Sequence, residues 1–192
     1  MNQDSTIEYQ LRQLENKKQL FISLDPDNST CFAVNFRSTI SAFLSKPHIS
    51  IETILAGRHN TVVSSIKFNS PATKQPPPWV PTAVVSYIDK PGQEETMELK
   101  APLSLRWHVQ IGHLQCTWDL LYTPPSLHLK PDDSSVTLAM FTWGEHGNRT
   151  QNGQNVGQLR VFEEGKEFQI QILSTVSAVV AHWKSVGKFL IG

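Results

Sequence analysis

Residues 105–120 read LRWHVQIGHLQCTWDL, and apolar side chains alternate with polar ones along both halves of this stretch. The two halves flank Gly112, a residue type that tolerates the backbone conformations of tight turns. Alternation with a period of two is the pattern of a β-strand that has one buried face and one solvated face. The stretch therefore predicts a β-hairpin whose buried face carries Trp107, Cys116 and Trp118.

Shorter stretches of the same kind recur along the chain and predict a mostly β protein. β-Branched and aromatic residues are concentrated in them, and Pro, Gly, Asn and Asp separate them. The predicted strands are Gln19–Leu24, Cys31–Phe36, His48–Leu55, Thr61–Phe68, Thr82–Ile88, Leu127–Leu129, Val136–Phe141 and Gly157–Phe162. Residues 69–81 contain five prolines, and we predict a surface loop there because proline cannot donate to a strand ladder.

The N-terminal residues have a helical pattern instead. Ser5 and Glu8 have the spacing of a capping box, and apolar residues follow at helical intervals up to Leu14. We therefore predict a short helix within residues 1–18, as a leader to a single domain over residues 19–192.

The C-terminal stretch predicts a buried helix. Apolar residues from Phe168 to Trp183 follow helical spacing, and residues 177–181 are nearly all apolar. A helix that is apolar on most sides must be buried on most sides. We predict a helix from Glu167 to Ser185, although the β-branched residues in this stretch also suit a strand.

Composition and charge narrow the class of protein. The chain has 192 residues, of which 17 are basic and 17 are acidic, so its formal net charge is zero. Nucleic-acid binding requires a clustered basic surface, and we expect no nucleic-acid partner. No apolar run has the length of a membrane span, and the N-terminal residues lack the features of a signal peptide. We therefore expect a cytoplasmic protein in which Cys31 and Cys116 are reduced thiols.

No motif marks a metal, cofactor or catalytic site. The seven histidines are scattered without the spacing of metal ligands, and we expect neither a metal nor a cofactor. Cys116 alternates with core residues and is expected to be a structural thiol. If the chain is an enzyme, general acid–base chemistry would come from His108, Asp119, Glu145 and His146.

Two of the five tryptophans lie in or beside predicted loops. Trp79 is in the proline-rich loop, and Trp143 adjoins a polar loop that runs from Gly144 to Gln154. A partly exposed aromatic ring at such a place suits a ligand, a partner or a membrane interface. Trp79 and Trp143 are therefore candidate ligand-binding residues.

The order of these features resembles the tubby C-terminal-like superfamily, and more closely a poorly characterised branch that is common in fungi. The stretches that carry the resemblance are Gly112–Trp118, Val136–Phe141, Gly157–Val161 and the apolar C-terminal helix. The resemblance implies an antiparallel closed barrel of about twelve strands, with the hydrophobic C-terminal helix through it or against it. A β-sandwich is the alternative fold.

The resemblance also implies a function. Well-studied tubby-like proteins bind phosphoinositides through Lys and Arg on strands outside the barrel, and Arg58, Lys67 and Arg106 are the nearest candidates here. The leading hypothesis is a non-catalytic binding module that recognises a lipid headgroup or a protein partner through its loops. One alternative is a small barrel enzyme, an isomerase, cyclase or hydrolase that acts on an apolar small molecule. Another is a cytosolic lectin in which Trp79 or Trp143 stacks on sugars.

Overall fold

The structure is a computed structural model that describes residues 6–15, 17–26, 30–37, 49–54, 60–69, 82–90, 93–103, 106–145 and 151–186. In these residues twelve antiparallel strands form a closed barrel, as predicted, and the β-sandwich alternative is wrong. The strands are β1 (Ile7–Glu15), β2 (Lys18–Ser23), β3 (Cys31–Phe36), β4 (Ile49–Ile54), β5 (Thr61–Asn69), β6 (Thr82–Lys90), β7 (Gln93–Leu103), β8 (Arg106–Ile111), β9 (Leu114–Tyr122), β10 (Pro125–Pro131), β11 (Ala139–Trp143) and β12 (Asn155–Val161).

The strands follow one another around the barrel in chain order. Each strand pairs with its neighbours in sequence, and β1 closes the barrel by pairing with β12 as well as β2. The register of the closing pair sets Ile7 opposite Val161 and Tyr9 opposite Leu159. Closure removes the two unpaired edges that an open sheet would present.

The first strand corrects the predicted N-terminal helix. Residues Ile7–Glu15 are a strand of the barrel wall, so a leader that ends at residue 18 is wrong. Tyr9, Leu11 and Gln13 face inward and are buried. The Gln13 side chain is satisfied there because its Oε1 accepts a hydrogen bond from Nε2 of Gln19 at 3.0 Å. A buried amide interrupts the apolar alternation that would otherwise have indicated a strand.

β7 is a strand that the sequence pattern did not predict. Its inward residues Met97 and Leu99 are buried, but its acidic residues are of a type depleted in strands. Charged side chains on the solvated face of a paired strand cost little, and pairing with β6 over eight residue pairs outweighs the low propensity.

The C-terminal helix is confirmed and lies inside the barrel. A 3-10 helix over Glu163–Phe168 leads directly into α1, which spans Gln169–Val186. Residues 171–180 are all buried, and the apolar residues among them belong to the same hydrophobic core as the inward side chains of the strands. The helix therefore fills the barrel, and this explains why it is apolar on nearly every side.

No helix in the described part of the chain combines the length and the apolar character that crossing a bilayer requires.

Candidate functional site

A cleft of about 410 Å³ opens between β7 and β8, and we call it the seam cleft. The register pairs of these strands are Lys100 with His108 and Leu103 with Arg106, toward the C-terminal end of β7. The cleft lies beyond these pairs, toward the turn that joins β8 to β9. It is lined by Tyr87, Glu95, Thr96, Met97, Glu98, His108, Val109, Gln110, Gly112 and Gln115.

The residues that line the seam cleft belong to both faces of the barrel wall. Successive side chains of a strand point to opposite faces, so a cavity lined by consecutive residues reaches both faces. Met97 and Val109 are buried on the inner face, whereas Glu98 and His108 are exposed on the outer face.

The inner end of the seam cleft is closed by a chain of hydrogen bonds that starts on α1. Gly112 N donates to Oε1 of Gln171 at 2.9 Å, and Nε2 of Gln171 donates to the hydroxyl of Tyr87 at 2.8 Å. The Tyr87 hydroxyl in turn donates to Oε2 of Glu95 at 2.9 Å. The buried amide of Gln171 thus connects α1 by hydrogen bonds to the β8–β9 turn and to β6, and through Tyr87 to β7.

The outer end of the seam cleft carries a hydrogen-bonded relay of three side chains. The Thr117 hydroxyl donates to Oδ1 of Asp132 at 2.6 Å, and Thr117 Oγ1 lies 2.9 Å from Nδ1 of His108. A hydroxyl has one proton, and here the carboxylate receives it. Nδ1 of His108 is then the donor in its contact with Thr117 Oγ1.

Asp119, which the sequence named with His108 as a candidate for acid–base chemistry, does not contact His108 across the hairpin. The hairpin register sets His108 opposite Thr117 and Asp119 opposite Arg106. The Asp119 carboxylate forms an ion pair with Nε of Arg106 at 2.8 Å. Two predicted site residues, Arg106 and Asp119, are thus paired with each other. The His108 side chain instead contacts Thr117, which is hydrogen-bonded to Asp132.

The predicted phosphoinositide residues are not brought together in the described part of the chain. Lys67 is exposed on β5, and two strands separate β5 from the strand that carries Arg106. Three steps between neighbouring strands amount to roughly 14 Å. Arg58, Trp79 and His146 lie outside the described residues.

A second surface feature, which we call the rim, consists of Leu121–Pro125 and Trp143. Leu121 and Tyr122 are 47% and 53% exposed, and the prolines that follow are exposed as well. Strand register brings Trp143 to the same end of the barrel, because its neighbour Thr142 pairs with Ser126. The Trp143 ring is half-buried and packs edge-on against Phe141, with the ring centroids 5.3 Å apart. Glu145 is exposed two residues beyond.

Metal ligation is not indicated in the described ranges, where no three His, Cys, Asp or Glu side chains are grouped to hold an ion.

Comparison of this chain with protein-family models, with curated proteins and with solved structures finds no match. The fold and the site geometry define the class of protein as a helix-filled antiparallel β-barrel with a polar cleft in its wall. The tubby-like assignment stays a prediction from sequence motifs.

Proposed function

We propose that this chain is a non-catalytic binding module of tubby-like type, which recognises a lipid headgroup or a protein partner through the rim. The supporting observation is the occupied interior. Because α1 fills the barrel, the surfaces left for recognition are its ends and its outer wall. The same observation counts against an enzyme that takes an apolar substrate into the barrel mouth.

The rim has the composition of a contact surface. Leu121 and Tyr122 expose apolar area at the same end of the barrel as the half-buried Trp143. Tyr and Trp combine an apolar ring with a polar group, and such side chains suit protein interfaces and the headgroup region of a membrane. Exposed apolar residues that cluster are more informative than single ones.

Arg106 would supply the positive charge for a headgroup. Its partner Asp119 is two residues before Leu121, so this cation is close to the rim. The ion pair is solvent-exposed, and exposed pairs contribute at most about 1 kcal/mol. A phosphate can therefore compete with Asp119 for the guanidinium, since bidentate Arg–phosphate contacts are strong.

The test compares a rim variant with a control at an apolar residue of similar exposure. Leu121→Ser combined with Tyr122→Ser removes the apolar area of the rim, whereas Val62→Ser removes a residue that is also 47% exposed but lies on β5. We expect the rim variant alone to lose co-sedimentation with phosphatidylcholine vesicles that contain phosphoinositides, or to lose a protein that co-purifies with the native chain. If the rim and β5 variants behave alike in both assays, the proposal fails.

A hydrolytic enzyme is the second candidate, and the His108 relay favours it. In the neutral ring Nε2 of His108 has the lone pair of a general base, and its orientation is fixed through Thr117 and Asp132. The ring would take a proton from water, whose oxygen attacks an ester carbon, and then return the proton to the leaving alkoxide. Turnover of small polar esters by the native chain that is lost in His108→Ala would support this candidate, and absence of turnover would remove it.

A further inference from the structure

We propose that the barrel binds an uncharged oxygen acceptor, which receives hydrogen bonds from the indoles of Trp107 and Trp183. The acceptor is a water molecule, or the carbonyl or hydroxyl oxygen of a small compound. We call the place the indole site, and it consists of Trp107, His182 and Trp183. It lies where β8 begins and α1 ends. Both indoles are buried, so the inference does not depend on what the exposed rim binds.

The two indoles are exceptions among the buried polar side chains. In the described part of the chain, Nε1 of Trp107 and Nε1 of Trp183 are buried donors that have no hydrogen-bond partner. An indole nitrogen can only donate, and folded proteins pair the large majority of their buried donors. Two such exceptions in one region indicate an acceptor that the described residues do not supply.

Other polar groups in the same core are satisfied by the protein. Trp118 lies directly opposite Trp107 in the hairpin register, and its Nε1 donates to Oγ1 of Thr175 at 3.0 Å. Gln171 and Ser174, which are buried on α1, likewise form hydrogen bonds with side chains of the wall. The helix thus provides an acceptor for one tryptophan of this cross-strand pair and leaves the other without one.

His182 borders both indoles, although one is on β8 and the other on α1. Its ring centroid lies 4.9 Å from that of Trp107 and 6.1 Å from that of Trp183, and both contacts are edge-on. The His182 side chain is half-buried, so the indole site lies at the boundary between the core and solvent. Buried polar groups that lack a protein partner are the groups to which ordered waters bind in folded proteins.

The electrostatics of the indole site favour an uncharged acceptor over an anion. Burial lowers the pKa of His182, so its ring carries no positive charge near neutral pH. Trp183 is in the last turn of α1, and the C-terminal end of a helix carries a partial negative charge. An anion bound there would meet this negative end and an uncharged imidazole.

The first experiment tests whether the two indoles donate in the native chain. Ultraviolet resonance Raman spectra contain an indole band that is sensitive to N–H hydrogen bonding, and difference spectra against Trp107→Phe and Trp183→Phe isolate it for each residue. We expect both bands at the position of a hydrogen-bonded indole, which Trp118→Phe defines through the contact with Thr175. Bands at the position of an unbonded indole would overturn the proposal. Where a variant does not fold, the assigned Nε1–H resonances of the native chain give the same comparison.

The second experiment asks whether His182 is itself the acceptor. His182→Leu removes the imidazole nitrogens, and His113→Leu is the matched control, because the His113 ring also packs edge-on against an aromatic ring, that of Phe168. We expect the indoles of Trp107 and Trp183 to stay hydrogen-bonded in both variants. Loss of these hydrogen bonds in His182→Leu alone would contradict the proposal, and cooperative unfolding of each variant verifies that it is folded.

The source of the acceptor is distinguished by nuclear Overhauser effects from the two Nε1–H protons of the isotope-labelled native chain. Effects to water protons would identify an internal water. Effects to protons of an unlabelled compound, together with release of one equivalent of a carbonyl or hydroxyl compound on denaturation, would identify a small ligand. If the indoles are hydrogen-bonded and neither effect is seen, the acceptor belongs to the protein and the proposal is wrong.

Discussion

The pKa of the buried Cys116 thiol is set by the groups around it. Burial and, to a smaller extent, the nearby Asp132 carboxylate together raise the pKa of this thiol to about 11. The thiolate is the reactive form, and at pH 8 it is about one part in a thousand of such a thiol.

We therefore expect one fast and one slow thiol toward dithionitrobenzoate. Cys31 is half-buried and free, so it should react first, and Cys116 should react only when denaturant opens the barrel. In Cys31→Ser the fast phase should vanish. A fast phase that survives this substitution would mean that Cys116 is accessible.

His182 makes the free energy of unfolding depend on pH. Its ring lies 4.9 Å from that of Trp107, and burial lowers the pKa of His182 below its usual value of about 6.5. The unfolded chain then binds a proton at this position more readily than the folded chain. The free energy of unfolding must therefore fall as the pH drops below about 6.5.

The variant His182→Gln should lose part of this pH dependence. Burial also lowers the pKa of His128, so the native chain carries a second contribution of the same sign that the variant retains. Urea midpoints at pH 7 and pH 5 measure the difference, and we expect a smaller decrease for the variant. Equal decreases in the two chains would exclude His182 as a source.

At the scale of the elements, α1 is fixed to the wall by polar contacts within an apolar core. Nε1 of Trp118 on β9 donates to Oγ1 of Thr175 at 3.0 Å, and both residues are fully buried. Ser174 Oγ similarly lies 2.7 Å from Ser64 Oγ on β5. Such contacts set the rotation of a helix whose apolar residues would pack in more than one way.

Thr175→Val should lower the free energy of unfolding, although the Val side chain has nearly the same shape as Thr. The indole N–H of Trp118 would lose its acceptor, and an unsatisfied buried donor costs about 1–3 kcal/mol. Ser177→Ala is the control, because the Ser177 hydroxyl bonds only to Leu173 of its own helix. Urea unfolding should show a clear loss for Thr175→Val and a smaller one for Ser177→Ala; the reverse order would contradict the role of the contact.

The strands differ in how well the sequence pattern predicts them. The β8–β9 hairpin was predictable because both arms alternate, and a two-residue turn at Gly112 fixes which residues face each other. The pairs His108–Thr117 and Arg106–Asp119 follow from that register. The sequence of β1 does not indicate a strand because its inward positions end in Gln13, whose buried amide is satisfied by the Gln19 side chain and the carbonyl of Lys18.

The seam cleft had no comparable signal in the sequence. It depends on where β7 stops pairing with β8, and on Gln171, which comes 59 residues after Gly112. The rim was predictable in part, since Trp143 adjoins a polar loop, but the exposure of Leu121 and Tyr122 depends on how β9 ends.

At the scale of the whole molecule, β1 is what closes the barrel. It contributes Tyr9 and Leu11 to the core and pairs with strands from both ends of the chain. Removing residues 1–15 would leave β2 and β12 as open edges and expose the interior to water.

This truncation should abolish cooperative unfolding as measured by tryptophan fluorescence. Removal of residues 1–5 alone keeps every paired residue of β1 and should preserve a cooperative transition. If the chain that lacks residues 1–15 unfolds as cooperatively as the native chain, the closing role of β1 is wrong.

The ion pair between Glu8 and Arg160, with Nε and Oε1 2.7 Å apart, joins residues 152 positions apart in sequence. During synthesis β1 emerges from the ribosome before the other strands of the barrel, and its partner β12 emerges after them. Contacts of such long range slow folding, since the chain entropy of a large loop must be lost before any of them forms. The nascent chain therefore carries an incomplete sheet with an exposed edge until β12 and α1 have been made, and this interval is when it most needs protection from aggregation.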